Sequence, residues 1–158
     1  MELLWLARAL HVLAIILWIG GVAFVTLVVL PALDDFPLDR QLTEFARYER
    51  RFTGIARLAT VLAGLSGFYM LENLGLWGRF GEAAFWWMHA MIAVWTLFTL
   101  LLFVIEPLFF HAFLQRLEAG QPGRAVTVMR RGHRVLLGLS LLTAAGAVAG
   151  AHGWVPAF

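Results

Sequence analysis

Apolar residues along this chain form four long, nearly unbroken runs, separated by shorter segments that contain most of the charged residues. The runs cover residues 3–30, 52–74, 85–110 and 135–155. Each is long enough for a transmembrane helix, which needs about 20 residues. Because the runs are continuous and do not alternate with polar positions, they predict helices and exclude the strands of a barrel. The pattern therefore predicts an all-α, integral membrane four-helix bundle.

The helices are predicted at about 3–30, 52–74, 85–117 and 133–155, within a single transmembrane domain that spans residues 1–158. The near-helical spacing of Leu38, Leu42 and Phe45 predicts further helix just before the second membrane segment. Pro107 is predicted to kink the third helix, because proline removes a backbone donor. The first segment lacks a basic leader and is expected to be retained, not cleaved as a signal peptide.

The arginines are unevenly distributed among the connections, and this predicts an orientation. The first and third connections contain most of them, at Arg40, Arg47, Arg50, Arg51, Arg116, Arg124, Arg130 and Arg131, whereas the second has only Arg79. The positive-inside rule then makes the arginine-rich connections cytoplasmic. Tryptophans fall at the opposite helix ends, as an aromatic belt would, at Trp5, Trp77, Trp86, Trp87 and Trp154. We expect a multi-pass protein of a bacterial-type inner (plasma) membrane with both termini on the outer, periplasmic side.

The composition excludes several classes of function. The chain is 61% hydrophobic, against about 45–50% for soluble domains. It has no cysteine, so disulfides, iron–sulfur clusters, thiolate metal sites and covalent haem attachment are impossible. Its twelve basic residues are all arginine, and these are expected to contact anionic lipid, not nucleic acid. No arrangement typical of nucleophilic catalysis or phosphate binding is present.

The histidines suggest a site within the bundle. There are five, His11, His89, His111, His133 and His152. An ionisable side chain at membrane depth is costly and usually faces the bundle interior, and imidazole ligates haem iron and copper. In the predicted orientation, His11, His89 and His152 form an outer group and His111 and His133 an inner pair. This arrangement suits one or two b-type haems between the helices, with histidine as an axial ligand.

Several charged residues at membrane depth have more than one interpretation. Arg8 lies on one helical stripe with His11 and is positioned to pair with a haem propionate, since arginine matches carboxylate geometry. For Arg8, Arg57 and Arg134, an anchor that extends to the membrane surface is the more common explanation than a propionate partner. Glu106, next to Pro107, is expected to cap a freed backbone group, pair with an arginine, or relay a proton.

Small residues in the fourth helix allow a neighbouring helix to approach closely. Gly146 and Gly150 have the required four-residue spacing. Packing within the bundle is the favoured explanation, and a contact in a homo-oligomer is the alternative.

The run Trp5-Leu6-Ala7-Arg8-Ala9-Leu10-His11-Val12-Leu13, followed by Leu17-Trp18-Ile19-Gly20-Gly21, resembles two related membrane families. They are the copper resistance protein D family and the small four-helix protoporphyrinogen oxidases of the HemJ type. The resemblance extends to Trp87-Met88-His89-Ala90-Met91, which is similar to a Trp-x-His-x-Lys stretch of those oxidases. It implies a b-type haem bound by His11, with His89 as a further candidate ligand.

One difference from the oxidase pattern bears on the reaction. Met91 stands where the oxidases have lysine, and this chain has no lysine at all, so protoporphyrinogen oxidation is not expected. The leading hypothesis is a cytochrome b-like oxidoreductase for electron transfer or small-molecule redox chemistry, with a quinone or a redox protein as partner. The copper family implies the first alternative, copper handling at an outer site of His11, His89 and His152. A non-catalytic membrane subunit or assembly factor is the second.

Overall fold

A computed structural model of the chain describes residues 2–110 and 122–154. Over these residues the backbone is helical apart from short turns and contains no strand. Four of the described helices are long and apolar enough to cross a membrane. The prediction of an all-α fold with four helices long and apolar enough to span a membrane is therefore confirmed, and the fold suits a multi-pass membrane protein.

The first two helices are longer than the apolar runs predicted. Helix α1 is one helical span, Glu2–Asp35, with a π-helical stretch at Val25–Val29. Helix α2 covers Leu38–Asn73 without interruption. The predicted helix before the second membrane segment is thus present, as part of α2 itself. The apolar residues of this arginine-containing part recur at helical spacing and pack against the bundle. The helix therefore continues without a loop to residue 52, where the membrane segment was predicted to start.

The third helix changes its hydrogen-bond register halfway along. Helix α3 is α-helical at Trp86–Leu100 and continues as a π-helix at Leu101–Phe110. The distortion predicted at Pro107 is therefore a π-helical segment. Helix α4 covers Pro122–Ala151, so it begins well before the predicted residue 133. The predicted extension of the third helix to residue 117, and His111 with it, lie outside the described residues.

Two buried clusters hold the helices together, one in each half of the bundle. We call the end around Asp34 and Leu38 the arginine-rich end, and the end around Trp77 and Trp87 the tryptophan-rich end. The first cluster lies near the arginine-rich end and contains Val25, Leu30, Leu33, Leu42, Phe45, Ala125, Val126 and Met129. The second is more central and contains Ala14, Trp18, Val22, Ala59, Ala63, Phe98 and Leu137. Phe52 packs against both clusters, so they are continuous.

Large apolar side chains cover the outward faces of the bundle. Each helical run has examples that are more than half exposed, such as Leu13, Leu58, Leu108 and Leu142. A soluble monomer rarely exposes a contiguous apolar surface of this extent. Lipid tails solvate such a surface at no cost, and the helices satisfy their own backbone polar groups. The surface therefore agrees with the membrane fold.

Candidate functional site: a cavity in the arginine-rich half

A partly open cavity of about 250 Å³ lies between the four helices in the arginine-rich half of the bundle. Its walls are mainly apolar and include Trp18 and Val22 of α1, Phe52 of α2, Phe98 of α3 and Leu136 of α4. All four helices contribute, so the cavity exists only in the assembled bundle. Apolar pockets with a few convergent polar groups are typical of small-molecule sites.

His133 is the histidine that lines this cavity. Its Nδ1 lies 3.0 Å from the carbonyl oxygen of Met129, one turn earlier in α4. The ring also makes an edge contact with Phe45, with ring centroids 5.4 Å apart. A hydrogen bond donated by Nδ1 fixes the tautomer and leaves Nε2 with its lone pair. In this tautomer the Nε2 atom of His133 is the ring nitrogen that can accept a hydrogen bond or bind a metal ion.

Trp18 contributes a buried donor to the same wall. The residue is 2% exposed, and its ring packs edge-on against Phe98 with centroids 4.8 Å apart. Its indole Nε1 is buried and has no hydrogen-bond partner within the described part of the chain. The Nε1 atoms of Trp86 and Trp87, which lie outside the cavity, are buried without a described partner in the same way, so this state of the Trp18 N–H is not particular to the cavity.

Arg57 of α2 binds the π-helical part of α3 through two groups. Its Nε donates to the carbonyl oxygen of Leu102 at 3.0 Å, and its Nη2 lies 2.5 Å from a carboxylate oxygen of Glu106. In a π-helix the carbonyl oxygen of Leu102 would accept a hydrogen bond from the backbone N–H of the residue five positions later. That residue is Pro107, which has no N–H. We call this set of contacts the Arg57 bridge, since it satisfies the carbonyl that proline leaves open.

The Arg57 bridge decides between the interpretations of Glu106. Pairing with an arginine is confirmed, and the partner is Arg57. The freed backbone carbonyl is bonded by Arg57, so the expectation that Glu106 caps it is not met. Glu106 also lines the cavity, together with Glu49. The polar side of the cavity thus contains two carboxyl side chains, one of them held by an ion pair between α2 and α3.

His11 lies in the other half of the bundle, turned towards α2. Its Nδ1 lies 2.9 Å from the carbonyl oxygen of Ala63 and 3.1 Å from the hydroxyl of Ser66. A β-carbon added to Gly67 would lie 3.2 Å from the Cε1 atom of this ring, so the glycine leaves room for it. The ring is half-buried. Its orientation is fixed across a helix interface, and no described residue bonds its Nε2.

The structure does not bring the predicted outer histidines together. His89 is exposed and packs edge-on against Phe80, with centroids 5.2 Å apart. His152 is exposed and bonds the carbonyl oxygen of Val148 in its own helix at 2.8 Å. Within the described ranges, no group of three His, Asp or Glu side chains could hold a metal ion. The expected site of His11, His89 and His152 is therefore not assembled, because the three side chains turn towards different neighbours.

The other candidate arginines are at the two ends of the bundle. Arg8 is exposed and its guanidinium lies over the Trp5 ring, 5.4 Å from the centroid. Arg134 lines a smaller cavity at the arginine-rich end, beside an Asp34–Arg130 pair. That pair is bidentate, with oxygen–nitrogen distances of 2.5 Å and 3.1 Å, and it connects α1 to α4. Arg8 thus remains available at the surface, while Arg134 adds charge near an existing ion pair.

Sequence reasoning missed two residues of the cavity, Trp18 as a donor and Glu49 as an acid. Glu49 interrupts an apolar stripe at helical spacing that contains Leu42, Phe45 and Phe52. An acidic residue within the apolar face of a helix signals a polar group that faces the interior. The signal was therefore present, although the cavity itself arises only from the packing of four helices.

The comparisons with known proteins gave no match. No family model, no curated protein and no solved structure is significantly similar to this chain.

Proposed function

We propose that this protein is a b-type haem protein of the membrane, cytochrome b-like, which acts in electron transfer or small-molecule redox chemistry. The observation that supports it is the state of His11. Its Nδ1 is engaged by the Ala63 carbonyl of another helix, while its Nε2 has no bond from the described residues. Metal-binding histidines characteristically donate their second ring nitrogen to such a carbonyl, which fixes the ring and raises the basicity of the ligand.

The residues around His11 fit a haem in two further respects. The His11 ring packs against α2 at Gly67, where the absence of a side chain leaves room for it. The ring is therefore positioned against the backbone of α2 and not against a mobile side chain. Arg8, three residues before His11 and about one helical turn nearer the end of α1, is exposed and can pair with a propionate. The chemistry that a bound b-type haem supplies is one-electron oxidation and reduction.

The same geometry supports haem over copper. Copper handling by His11, His89 and His152 requires those side chains to converge, and no described group of three potential ligands does so. A haem iron needs only one or two axial side chains from the protein, because the porphyrin provides the remaining nitrogens. A haem site therefore asks for fewer converging protein ligands than the copper site does.

The proposal includes the location and orientation of the protein. We place it in a bacterial-type inner membrane with the arginine-rich end in the cytoplasm and both termini outside, on the strength of the positive-inside rule. His11 is then in the outer half of the bundle, and the cavity lined by His133 is in the inner half. Reporter fusions at residue 121 and at the C-terminus test this orientation.

The decisive experiment measures haem in the purified full-length protein. A reduced-minus-oxidised spectrum and a pyridine haemochrome assay give the type of haem and the amount per chain. We expect about one b-type haem per chain in the wild type and almost none in His11→Ala. In His11→Met we expect retained haem with a shifted spectrum, since methionine also ligates haem iron.

The matched control is His152→Ala. His152 is an exposed histidine that, like His11, has its Nδ1 on a backbone carbonyl, so loss of a generic histidine contact would affect both variants. We expect His152→Ala to retain its haem. A wild-type protein without a Soret band, or a His11→Ala protein with full haem content, would refute the proposal.

A further inference from the structure

We propose that the cavity in the arginine-rich half binds the ring headgroup of a lipid-soluble quinone. The cavity lies away from His11, so it is separate from the proposed haem ligand. The choice of ligand class rests on the proposed function, because a membrane electron-transfer protein needs a redox partner and a lipid-soluble quinone is one that reaches a site inside the bundle through the bilayer. The cavity itself, its walls and its polar groups are independent of that function.

The size of the cavity favours a ring headgroup over a larger cofactor. Its volume, about 250 Å³, is just below the roughly 300–1,000 Å³ of pockets that enclose drug-sized ligands. One ring or two fused rings fit such a space, whereas a whole porphyrin requires more. Three of the lining residues are phenylalanines, Phe45, Phe52 and Phe98, whose flat rings pack well against a flat ligand.

The polar groups of the cavity match the two redox forms of a quinone. The oxidised ring has two carbonyl oxygens, which only accept hydrogen bonds, and the hydroxyl group of Thr53 in the cavity walls can donate one. The reduced ring has two hydroxyl groups, which donate. The carboxyl side chain of Glu49 and the Nε2 of His133 are acceptors in the same walls.

Other lipid-soluble molecules match this cavity less well. A fatty acyl chain has no polar group to bond the polar side of the cavity. An anionic lipid headgroup would meet Glu49 and Glu106, both of which line the cavity. A neutral ring with oxygen substituents avoids the like-charge contact and can hydrogen-bond the polar side.

The test fills the cavity without disturbing the rest of the bundle. Gly132 lines the cavity, and a β-carbon added to it meets no atom within 4 Å. Gly138 has equally open space and lies on the same helix, but it does not line the cavity. Gly132→Leu and Gly138→Leu therefore form a matched pair, in which both add the same side chain and only the first occupies the proposed site.

The measurement is equilibrium binding of radiolabelled decylubiquinone to the full chain in nanodiscs, with empty nanodiscs subtracted. We expect saturable binding to the wild type and to Gly138→Leu, and loss of saturable binding in Gly132→Leu.

Haem content separates this proposal from the proposed function. We expect Gly132→Leu to retain wild-type haem, because His11 lies in the other half of the bundle. Loss of haem in Gly132→Leu or His133→Ala would mean that the cavity holds a haem, and would overturn the quinone proposal. Equal quinone binding by Gly132→Leu and Gly138→Leu would also overturn it. A protein that binds quinone without haem would refute only the proposed function.

Discussion

Helix α3 is held to its neighbours by different means in the two halves of the bundle. In the tryptophan-rich half, aromatic rings lie directly on glycine backbones: the ring of Trp86 on Gly146, and that of Trp87 on Gly150. In the arginine-rich half, α3 is held to α2 by the Arg57 bridge, beside a cavity. Ring-on-glycine packing fills space, whereas a polar bridge can hold two helices while a space remains next to them.

This difference explains where a ligand can bind. Close packing in a protein interior leaves few voids larger than a water molecule, and a glycine under a tryptophan ring leaves none at that point. A cavity persists only where its walls are fixed by other contacts, and the Arg57 bridge fixes α2 and α3. The half in which a polar bridge holds α3 is therefore the half that offers a site.

Removal of the Arg57 bridge should have the largest effect on stability. Arg57→Ala leaves Glu106 without this partner and the Leu102 carbonyl unbonded in apolar surroundings. We expect the free energy of unfolding to fall by roughly 2–4 kcal/mol, less than for a fully buried pair because Arg57 is partly exposed. Unfolding in mixed detergent micelles measures this change.

A matched arginine on the same helix provides the control. Arg47 is paired with Glu44 at 3.6 Å on the surface, so Arg47→Ala should cost at most about 1 kcal/mol. Arg57→Lys keeps the charge but has a single ammonium group for two acceptors. Its loss of stability should therefore lie between the losses of Arg47→Ala and Arg57→Ala. Equal losses for Arg47→Ala and Arg57→Ala would contradict the role given to the bridge.

Overpacking should have the next largest effect, in the tryptophan-rich half. A β-carbon on Gly150 would overlap the Trp87 ring, so Gly150→Leu should cost about 1–3 kcal/mol. Gly138→Leu, which enters open space, should cost much less. Detergent unfolding of the monomer tests this directly. A Gly150→Leu protein that dissociates from a dimer but unfolds normally would mean that this surface faces a second copy.

Removal of a single hydrogen bond from packed rings should be milder. The Nε1 of Trp95 donates to the carbonyl oxygen of Thr60 at 2.9 Å, and its ring covers Gly64. Trp95→Phe keeps an aromatic ring over the glycine and removes the bond, so we expect a loss of about 0.5–1.5 kcal/mol. Trp95→Ala should lose considerably more, and thermal unfolding of the two variants separates packing from hydrogen bonding.

The smallest effect is expected at the arginine-rich end itself. Asp34 pairs with Arg130 but is largely exposed, with 63% of its side chain accessible. Asp34→Asn should therefore reduce the free energy of unfolding less than any of the preceding variants, and the loss should shrink at high salt. A loss as large as that of Arg57→Ala, unaffected by salt, would show that this pair, and not the Arg57 bridge, holds this half together.

The fold was predictable because the bilayer leaves few alternatives. A run of apolar residues long enough to span a membrane must be helical there, and the four runs became four helices. Helix ends were less predictable. Residues 38–51 and 122–132 contain several arginines, yet they continue α2 and α4 because their apolar positions keep a helical period that packs on the bundle.

The candidate site was only partly predictable, because it depends on which way each side chain faces. The sequence singled out His133, and the structure places it at the cavity. The same reasoning grouped His89 and His152 with His11, although both are exposed. Depth along a helix can be counted from the sequence, but the face that a residue presents near a helix end depends on packing. Trp18 and Glu49 could be recognised as cavity residues only once the packing of the four helices was known.

The length of α2 has a consequence for any molecule in the cavity. Its 36 residues extend over about 54 Å, whereas the hydrocarbon core of a bilayer is about 30 Å thick. With the tryptophan-rich end at one membrane surface, Phe45 and Glu49 lie beyond the opposite edge of the hydrocarbon, at the level of the lipid headgroups, while Ala56 lies within it. In that placement the cavity would straddle the boundary between the hydrocarbon and the headgroup region. The proposed quinone could then keep its hydrophobic tail in the bilayer while protons exchange with the aqueous phase at Glu49, without a channel through the protein.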